Sequence, residues 1–256
     1  MKPKKLSIIT ANFNSGELLF KTFESISNIL IQCDVNWVII DNNSHDTSIQ
    51  RIIGTEKYRK CANNIRIIIK SDFGIYNAIN NGIVDSKSEY YIVLGAGDTL
   101  FEERFINSYD QIINSDFDIG VFKVLRNSKV IGPLITDRKL SFLSFLTYTL
   151  FYSSHSVGTV IKSELHNKIG YYSKFYPIMA DSFFLTQALY MNDLKFKYFD
   201  KIIGEFDNGG VTSTNMSSSA IEYFSIQCKL NKSLSVQFLL LFVRLARLKF
   251  KSVLKI

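Results

Sequence analysis

The chain has 256 residues, enough for one large or two small domains with a substantial core. Hydrophobic residues make up 46% and charged residues 21%, which excludes a disordered chain. The formal charge of +7 asks for an anionic partner, and nucleic acid, anionic lipid and nucleoside diphosphate all qualify on charge alone.

Leu6–Thr10 is a short apolar run and predicts a buried strand. Leu19, Phe23, Ile26 and Leu30 fall at helical spacing. Val35–Ile40 and Ile65–Ile69 predict two more strands, and Ile75, Ile79 and Ile83 another helix face. Tyr90–Leu94 predicts a fourth strand. Phe101, Phe105, Tyr109 and Ile112 follow at helical spacing, and then the strand-like run Ile119–Phe122. This alternation predicts an α/β fold with a mostly parallel sheet covered on both faces by helices. Polar or glycine-rich segments follow the first four strands: Ala11–Gly16, Asp41–Thr47, Ser71–Gly74 and Gly95–Asp98. Open α/β sheets bind ligands beyond the carboxyl ends of their strands, so these four segments are expected at one site.

The second half is less regular. Phe142–Tyr152 is aromatic and apolar, Val157–Ile161 and Lys195–Phe199 predict strands, and Met179–Met191 predicts a helix. Asn208-Gly209-Gly210 reads as a turn, and the pattern is helical from Ser217 onward. We divide the chain at this point, into residues 1–215 and a C-terminal helical segment, 216–256. Cys33, Cys61 and Cys228 are scattered, without a CxxC or Cys/His cluster, which fits a reducing compartment and disfavours disulfides or zinc. The run Leu6–Ile9 is too short for a signal peptide. No apolar stretch approaches the roughly 18 residues of a membrane span. The absence of an extended basic tract sets nucleic acid aside.

Two loops carry candidate chemistry. In Gly95-Ala96-Gly97-Asp98, glycines such as Gly97 let the backbone approach a ligand, and Asp98 sits at a strand end. A hard divalent cation on a diphosphate needs few protein ligands, so one Asp suffices. The alternative is a turn with Asp98 capping the next helix. In Asp41–Thr47, Asp41 can accept from a ribose hydroxyl or a base N–H, or can close an Asx turn, while Asp46 reads as a cap.

Five segments together carry a resemblance. Ser7–Asn14, Ile39–Thr47, Ser71–Gly82, Glu89–Asp98 and Ala180-Asp181 resemble, in order and spacing, the family 2 glycosyltransferases. The likeness is greatest to enzymes of bacterial surface-polysaccharide assembly of the colanic-acid type, and it covers roughly residues 6–212. It implies a GT-A fold, inverting transfer, a nucleoside-diphosphate sugar donor, UDP-sugar foremost, and a divalent metal, Mn²⁺ or Mg²⁺. Ala11, Asn12 and Phe13 match the loop that meets the nucleoside. Asp41 matches the first acid of the second loop, with Asn42 where the family carries a second Asp or a Gly. Asp72 matches the acid before a Lys-Gly pair, whose Lys is here Phe73, and Asn77 stands where an Asp is common. Asp98 corresponds to the last acid of the metal-binding DxD, and His155 to a histidine that touches diphosphate or acceptor. Asp181 matches the catalytic base, a role this chemistry needs because the attacking hydroxyl must lose a proton. It also reads as a helix N-terminal charge. Glu205, Asp207 and the Gly-Gly turn resemble one that closes over the donor.

At the C-terminus, Arg244, Arg247, Lys251 and Lys255 recur on one predicted helix face, with Leu241, Leu245, Leu248 and Val253 elsewhere around it. A basic amphipathic helix fits an anionic membrane surface. It fits equally well packing on the domain or on a second copy in a homo-oligomer. The expectation is a cytoplasmic protein, peripheral at the inner face of the cell membrane, acting on a lipid-linked glycan or oligosaccharide. A sugar-phosphate nucleotidyltransferase is disfavoured because the first loop, Ala11–Gly16, has no basic residue. A non-catalytic scaffold on the same fold is disfavoured by the presence of both Asp98 and Asp181.

Overall fold

The computed structural model describes residues 4–133, 155–207, 209, 215–230 and 233–254. The run Phe142–Tyr152, Asn208, Gly210 and Lys255 lie outside them.

Four strands form a parallel ladder in the order β3 (Ile65–Ile69), β2 (Val35–Asp41), β1 (Leu6–Asn12), β4 (Tyr90–Val93). β1, β2 and β4 are buried almost throughout and mostly apolar because both faces are covered, whereas the edge strand β3 carries Arg66 and leaves Ile69 exposed. Leu6 and Ile8 of β1 face one core, shared with Leu19, Phe23, Ile26 and Leu30 of helix α1 (Glu17–Gln32). Ile9 faces the other, shared with Ile79 and Ile83 of α4 (Ile75–Ser86). Two short helices, α2 (Ser48–Ile53) and α3 (Glu56–Cys61), fill the crossover from β2 to β3. Trp37 is fully buried, stacks on Phe23 and donates its Nε1–H to Thr10 Oγ1 at 2.9 Å, so burying its one polar atom carries no penalty.

Antiparallel pairing enters with β8 (Thr159–Lys162), which lies between β4 and β6 (Ile119–Arg126). Beyond it β9 (Phe196–Glu205) pairs parallel with β6 and antiparallel with the two-residue β5 (Thr99–Leu100). Parallel pairs still carry most of the registered residues. β7 (Lys129–Ile131) returns on β6 through Asn127 and Ser128, both at positive φ, as a tight hairpin with right-handed twist requires. α5 (Glu102–Ile113) covers the first core, and α6 (Leu165–Ile169) and α7 (Ala180–Leu189) the second.

Two helices follow, α8 (Met216–Leu230) and α9 (Leu234–Leu254). α8 contributes Ile226 to the second core, so the chain from Met216 starts inside the packing of the sheet domain. α9 rests on α8, where the Arg244 guanidinium lies 4.1 Å from the centre of the Tyr223 ring. Arg244 is therefore turned toward α8 and does not head a free basic face, because stacking on an aromatic ring competes with exposure. Leu239 and Phe242 of α9 are exposed, and so is much of Phe238, although its ring centre lies 4.9 Å from that of Phe224 on α8. Among the described residues no helix is long and apolar enough to cross a membrane.

One glycine holds α4 against the sheet. A Cβ on Gly82 would lie 2.5 Å from Ile9 Cγ2, on a side chain that is fully buried. Overpacking costs about 1–3 kcal/mol, against a helix-propensity gain of about 1 kcal/mol for alanine. Gly82→Ala is expected to lower the chemical-denaturation midpoint, and Gly82→Val to lower it further. A raised midpoint for Gly82→Ala would show that α4 has room to move away.

Candidate active site

Parallel pairing sends the loops after β1, β2, β3 and β4 to one edge, where the expected residues meet. Register sets Asn12 opposite Asp41. Asn12 Nδ2 donates to Asp41 Oδ1 at 2.5 Å and lies 3.2 Å from Ser44 Oγ. Ser44 donates its N–H to Asp41 Oδ2 at 2.9 Å and its hydroxyl to Oδ1 at 2.6 Å. The Asp41 carboxylate is 3% exposed and filled by these donors. It orders the loop in the manner of an Asx turn. Asn42 donates its N–H to Asn12 O, and its Oδ1 accepts from Asp72 N at 3.1 Å. Asp72 Oδ1 accepts from Gly74 N, and Asn77 Oδ1 lies 3.5 Å from Phe73 N. Ala11 packs between the cores behind this network. Asp46 ties α2 to the first loop, accepting from Ser48 and from Gly16 N at 2.7 Å. What faces solvent here is aromatic: Phe13 is 59% exposed and Phe73 96%.

Beside these loops a cavity of about 210 Å³ is lined by Tyr76, Asp98, His155, Tyr172, Asp181 and Asp207, among others. Asp98 does not cap a helix. α5 begins only at Glu102, with Phe101 as its cap. Asp98 Oδ2 accepts from Gly95 N at 2.8 Å and Oδ1 from Asp207 N at 2.9 Å, while Thr22 Oγ1 donates to its carbonyl at 2.8 Å. Burial, at 5% exposure, pushes the Asp98 carboxyl up to about 6. The two amide donors oppose this, and the Asp207 charge adds to it. Gly97 has φ +99°, and a Cβ there would lie 3.2 Å from Asp207 Cβ, so only glycine lets the two acids approach. The Asp207 carboxylate accepts from Gly209 N at 2.8 Å.

His155 stacks on Phe206, centroids 4.0 Å apart, and Arg126 lies 5.5 Å from the same ring. Burial and then the Arg126 charge bring its pKa down to about 4, so it enters the cavity as a neutral imidazole above roughly pH 5. Asp181 stands in the first turn of α7, as a helix dipole favours. Its Oδ1 accepts from Ser182 N at 2.7 Å and from the Tyr76 hydroxyl at 2.8 Å. Burial raises its pKa, and these donors offset only part of that rise.

The expected residues thus fall into two adjoining groups. Ala11, Asn12, Phe13, Asp41, Asn42, Asp72 and Asn77 frame the open side, and Asp98, His155 and Asp181 the cavity, with Gly97 against Asp207 and Leu18. Tyr76, Tyr172 and the carboxylate of Asp207 as Asp98's neighbour were not singled out. Asp207 had only its turn context as a signal. Tyr76 had its place one residue off the stripe of Ile75, Ile79 and Ile83.

The pairing of Asn12 with Asp41 gives a direct test. Asn12→Asp sets two buried carboxylates in contact, which raises the pKa of one of them. A raised folded-state pKa means stability present at low pH and lost as pH rises from about 4 through that value. The variant should be destabilised by more than about 2 kcal/mol at pH 8 and much less at pH 4.5. Equal deficits in denaturation at the two pH values would rule out the contact.

Comparison with known proteins fits this geometry. Residues 7–172 match glycosyl transferase family 2. The poly(ribitol-phosphate) beta-N-acetylglucosaminyltransferase TarP of Staphylococcus aureus (strain N315) is 26% identical over 201 residues, which are 77% of this chain and 54% of TarP. The chain thus spans about half the length of that curated relative. The S. aureus TarS 1-349 crystal structure superposes with TM-score 0.65 at 16% identity, over 89% of this chain and 66% of that one. The same enzyme with UDP-GlcNAc gives 0.66 at 16% identity, over 87% and 64%. The mannosyltransferase PcManGT of Pyrobaculum calidifontis, in complex with GDP-Man and Mn²⁺, gives 0.61 at 11% identity, over 99% and 76%. At such identities the structural likeness speaks for the fold alone, which is GT-A. The family match covers well over half the residues, and the chain belongs to glycosyl transferase family 2.

Proposed function

We propose that this chain is an inverting glycosyltransferase that moves a sugar from a UDP-sugar to a hydroxyl of a surface-polymer acceptor. The observation that carries the reading is the cavity itself. It holds an acid pair, Asp98 with Asp207, and a separate acid, Asp181, with one oxygen committed to protein donors. TarP acts on poly(ribitol-phosphate), and TarS has been seen with UDP and with UDP-GlcNAc. The first supports a polymeric acceptor and the second a UDP-sugar donor.

Asp98, with Asp207 beside it, would hold a divalent cation. Two adjoining carboxylates offer hard oxygen ligands, and diphosphate oxygens and water complete such a shell. The raised pKa of Asp98 fits a site that favours a counter-cation when ionised. Among the described residues no group of three or more ligands exists, so the donor diphosphate is part of the site. The cation supplies positive charge against the charge that grows on the departing diphosphate.

Asp181 takes the proton. The acceptor oxygen bonds to the anomeric carbon as the bond to the diphosphate oxygen breaks, and the diphosphate leaves with the electron pair. The acceptor's proton passes to Asp181 Oδ2, while Tyr76 and the Ser182 N–H keep Oδ1 in place. Burial makes this carboxylate more basic than a surface one. Neutral His155 and the Asn12–Asp41–Asn42–Asp72 network fix the donor's two ends, and Phe13 offers a ring to the nucleoside.

A thermal-shift screen of nucleoside diphosphates with and without Mn²⁺ identifies the donor class, and two variants separate the roles. Asp98→Asn is expected to abolish metal-dependent UDP binding and transfer together. Asp181→Asn should keep UDP binding and lose about 10²-fold or more in rate. A fully active Asp181→Asn, or a product of retained anomeric configuration, would sink the reading.

The same reading extends the catalytic unit beyond residue 215 through α8, whose Ile226 lies in the second core, and leaves α9 as an attachment to the cytoplasmic membrane surface. Exposed Phe238 and Phe242 supply the apolar part, and a Lys or Arg close to an anionic leaflet adds about 1 kcal/mol. In liposome flotation, Phe238→Ser with Phe242→Ser is expected to reduce binding to all vesicles. Arg247→Gln with Lys251→Gln should remove only the anionic preference. No flotation by the wild type, with a native mass that halves in the Phe variants, would assign the face to a second copy.

A further inference from the structure

We propose that Glu222 is a positioning residue that holds Asp181 from outside its own helix. This rests on the reading of Asp181 as the base. The first N–H groups of a helix have no partner within it. At α7 they belong to a segment whose cap, Met179, offers no side-chain acceptor. One oxygen of Glu222, carried on α8, accepts from both Ile178 N at 3.0 Å and Met179 N at 2.9 Å. A carboxylate at a helix N-terminus also suits the dipole. Asp181 follows two residues later, so Glu222 fixes the backbone from which the base projects.

The same peptide is gripped from its other side. The Tyr76 hydroxyl lies 2.9 Å from Ile178 O and 2.8 Å from Asp181 Oδ1. A phenol has one proton to give. While Asp181 is ionised the proton goes to Oδ1. Once Asp181 has taken the acceptor's proton on Oδ2, Oδ1 is an uncharged and weaker acceptor, and the hydroxyl can turn its proton to Ile178 O. Glu222 holds Ile178 where that second partner is needed. The Tyr76 hydroxyl and the Ser182 N–H both sit on Oδ1, which leaves Oδ2 the oxygen to meet the acceptor.

Glu222 also adds charge. The groups around Asp181 are Tyr76 from α4, Tyr172 from the segment before α7, and Glu222 from α8, with Asp98, His155 and Asp207 across the cavity. Glu222 is the anion packed from the α8 side, and its charge raises the proton affinity of Asp181. Removing that charge while keeping the acceptor therefore separates electrostatics from position.

The test is a ¹³C NMR titration of the Asp181 carboxyl in the full chain, assigned by its loss in Asp181→Asn. Hydrogen exchange at Ile178 and Met179 is read alongside. Glu222→Gln should lower the Asp181 midpoint and keep both amides protected, because Gln still accepts. Glu222→Ala should speed exchange of both amides by about 10-fold or more. In UDP release from the donor, Glu222→Ala should lower kcat about 10-fold at unchanged donor KM, and Glu222→Gln should recover most of it. Amides equally protected in Glu222→Ala, or an unchanged kcat in that variant, overturn the proposal. If Glu222→Ala does not fold, Glu222→Asp, whose carboxylate is one methylene short of the two amides, is read for the same exchange and kcat. Asp181→Asn at the wild-type rate would instead overturn the base assignment, and the titration would still report what Glu222 does.

Discussion

In a parallel ladder every strand delivers its following loop to the same edge, and here that edge is the site. β1, β2, β3 and β4 run in one direction, so the loops at 11–16, 41–47, 71–74 and 95–98 have nowhere else to emerge. Register does the finer placing. Asn12 is the Cα partner of Asp41, and their side chains meet at 2.5 Å because paired residues of neighbouring strands point to the same face. A slip of one residue between β1 and β2 would turn Asn12 away and leave the Asp41 carboxylate buried with fewer donors. The same slip would exchange Ile8 and Ile9 between two cores, so packing and polar satisfaction enforce one register.

Buried acids then act as staples, and what separates their roles is how many lone pairs each has left. Asp41 is surrounded by Asn12 and Ser44, and Asp46 by Gly16 and Ser48. Both are occupied with holding loops. Asp98 joins the end of β9 to the loop after β4 through one amide on each oxygen. A carboxylate oxygen accepts more than one bond, so Asp98 keeps capacity toward a cation. Asp181 is the asymmetric case, with both described donors on Oδ1. A base needs such an arrangement, since one oxygen must be fixed and the other open.

Much of this was legible in the sequence where the signal is local. The apolar runs gave β1 to β4, β6, β8 and β9 because buried strands are nearly uniform in character, and the spacing of Leu19, Phe23, Ile26 and Leu30 gave α1. The two-residue β5 and three-residue β7 are too short for any periodicity, and α2, α3 and α6 have barely two turns each. Asp98 and Asp181 were found through motif resemblance, and the cavity brings them together. Tyr76 and Glu222 were not found, because their meaning lies in contacts across about 100 and 40 residues of chain that no spacing encodes. The basic pattern at the C-terminus gave the helix but misjudged Arg244, whose partner Tyr223 sits on the preceding helix.

Cavity size bears on how a donor lies. A volume of about 210 Å³ is below the roughly 300–1,000 Å³ usual for drug-sized ligands. It suits a sugar ring with the reacting end of a diphosphate, not a whole nucleotide sugar. On the proposed reading the nucleoside therefore rests outside it, along the open loops where Phe13 and Phe73 are exposed. Phe73 stands where the family resemblance expects a lysine. A ring at that position offers stacking area in place of charge, so on that reading base recognition leans on apolar contact beside a loop whose own amides are taken up by Asp72 and Asn77.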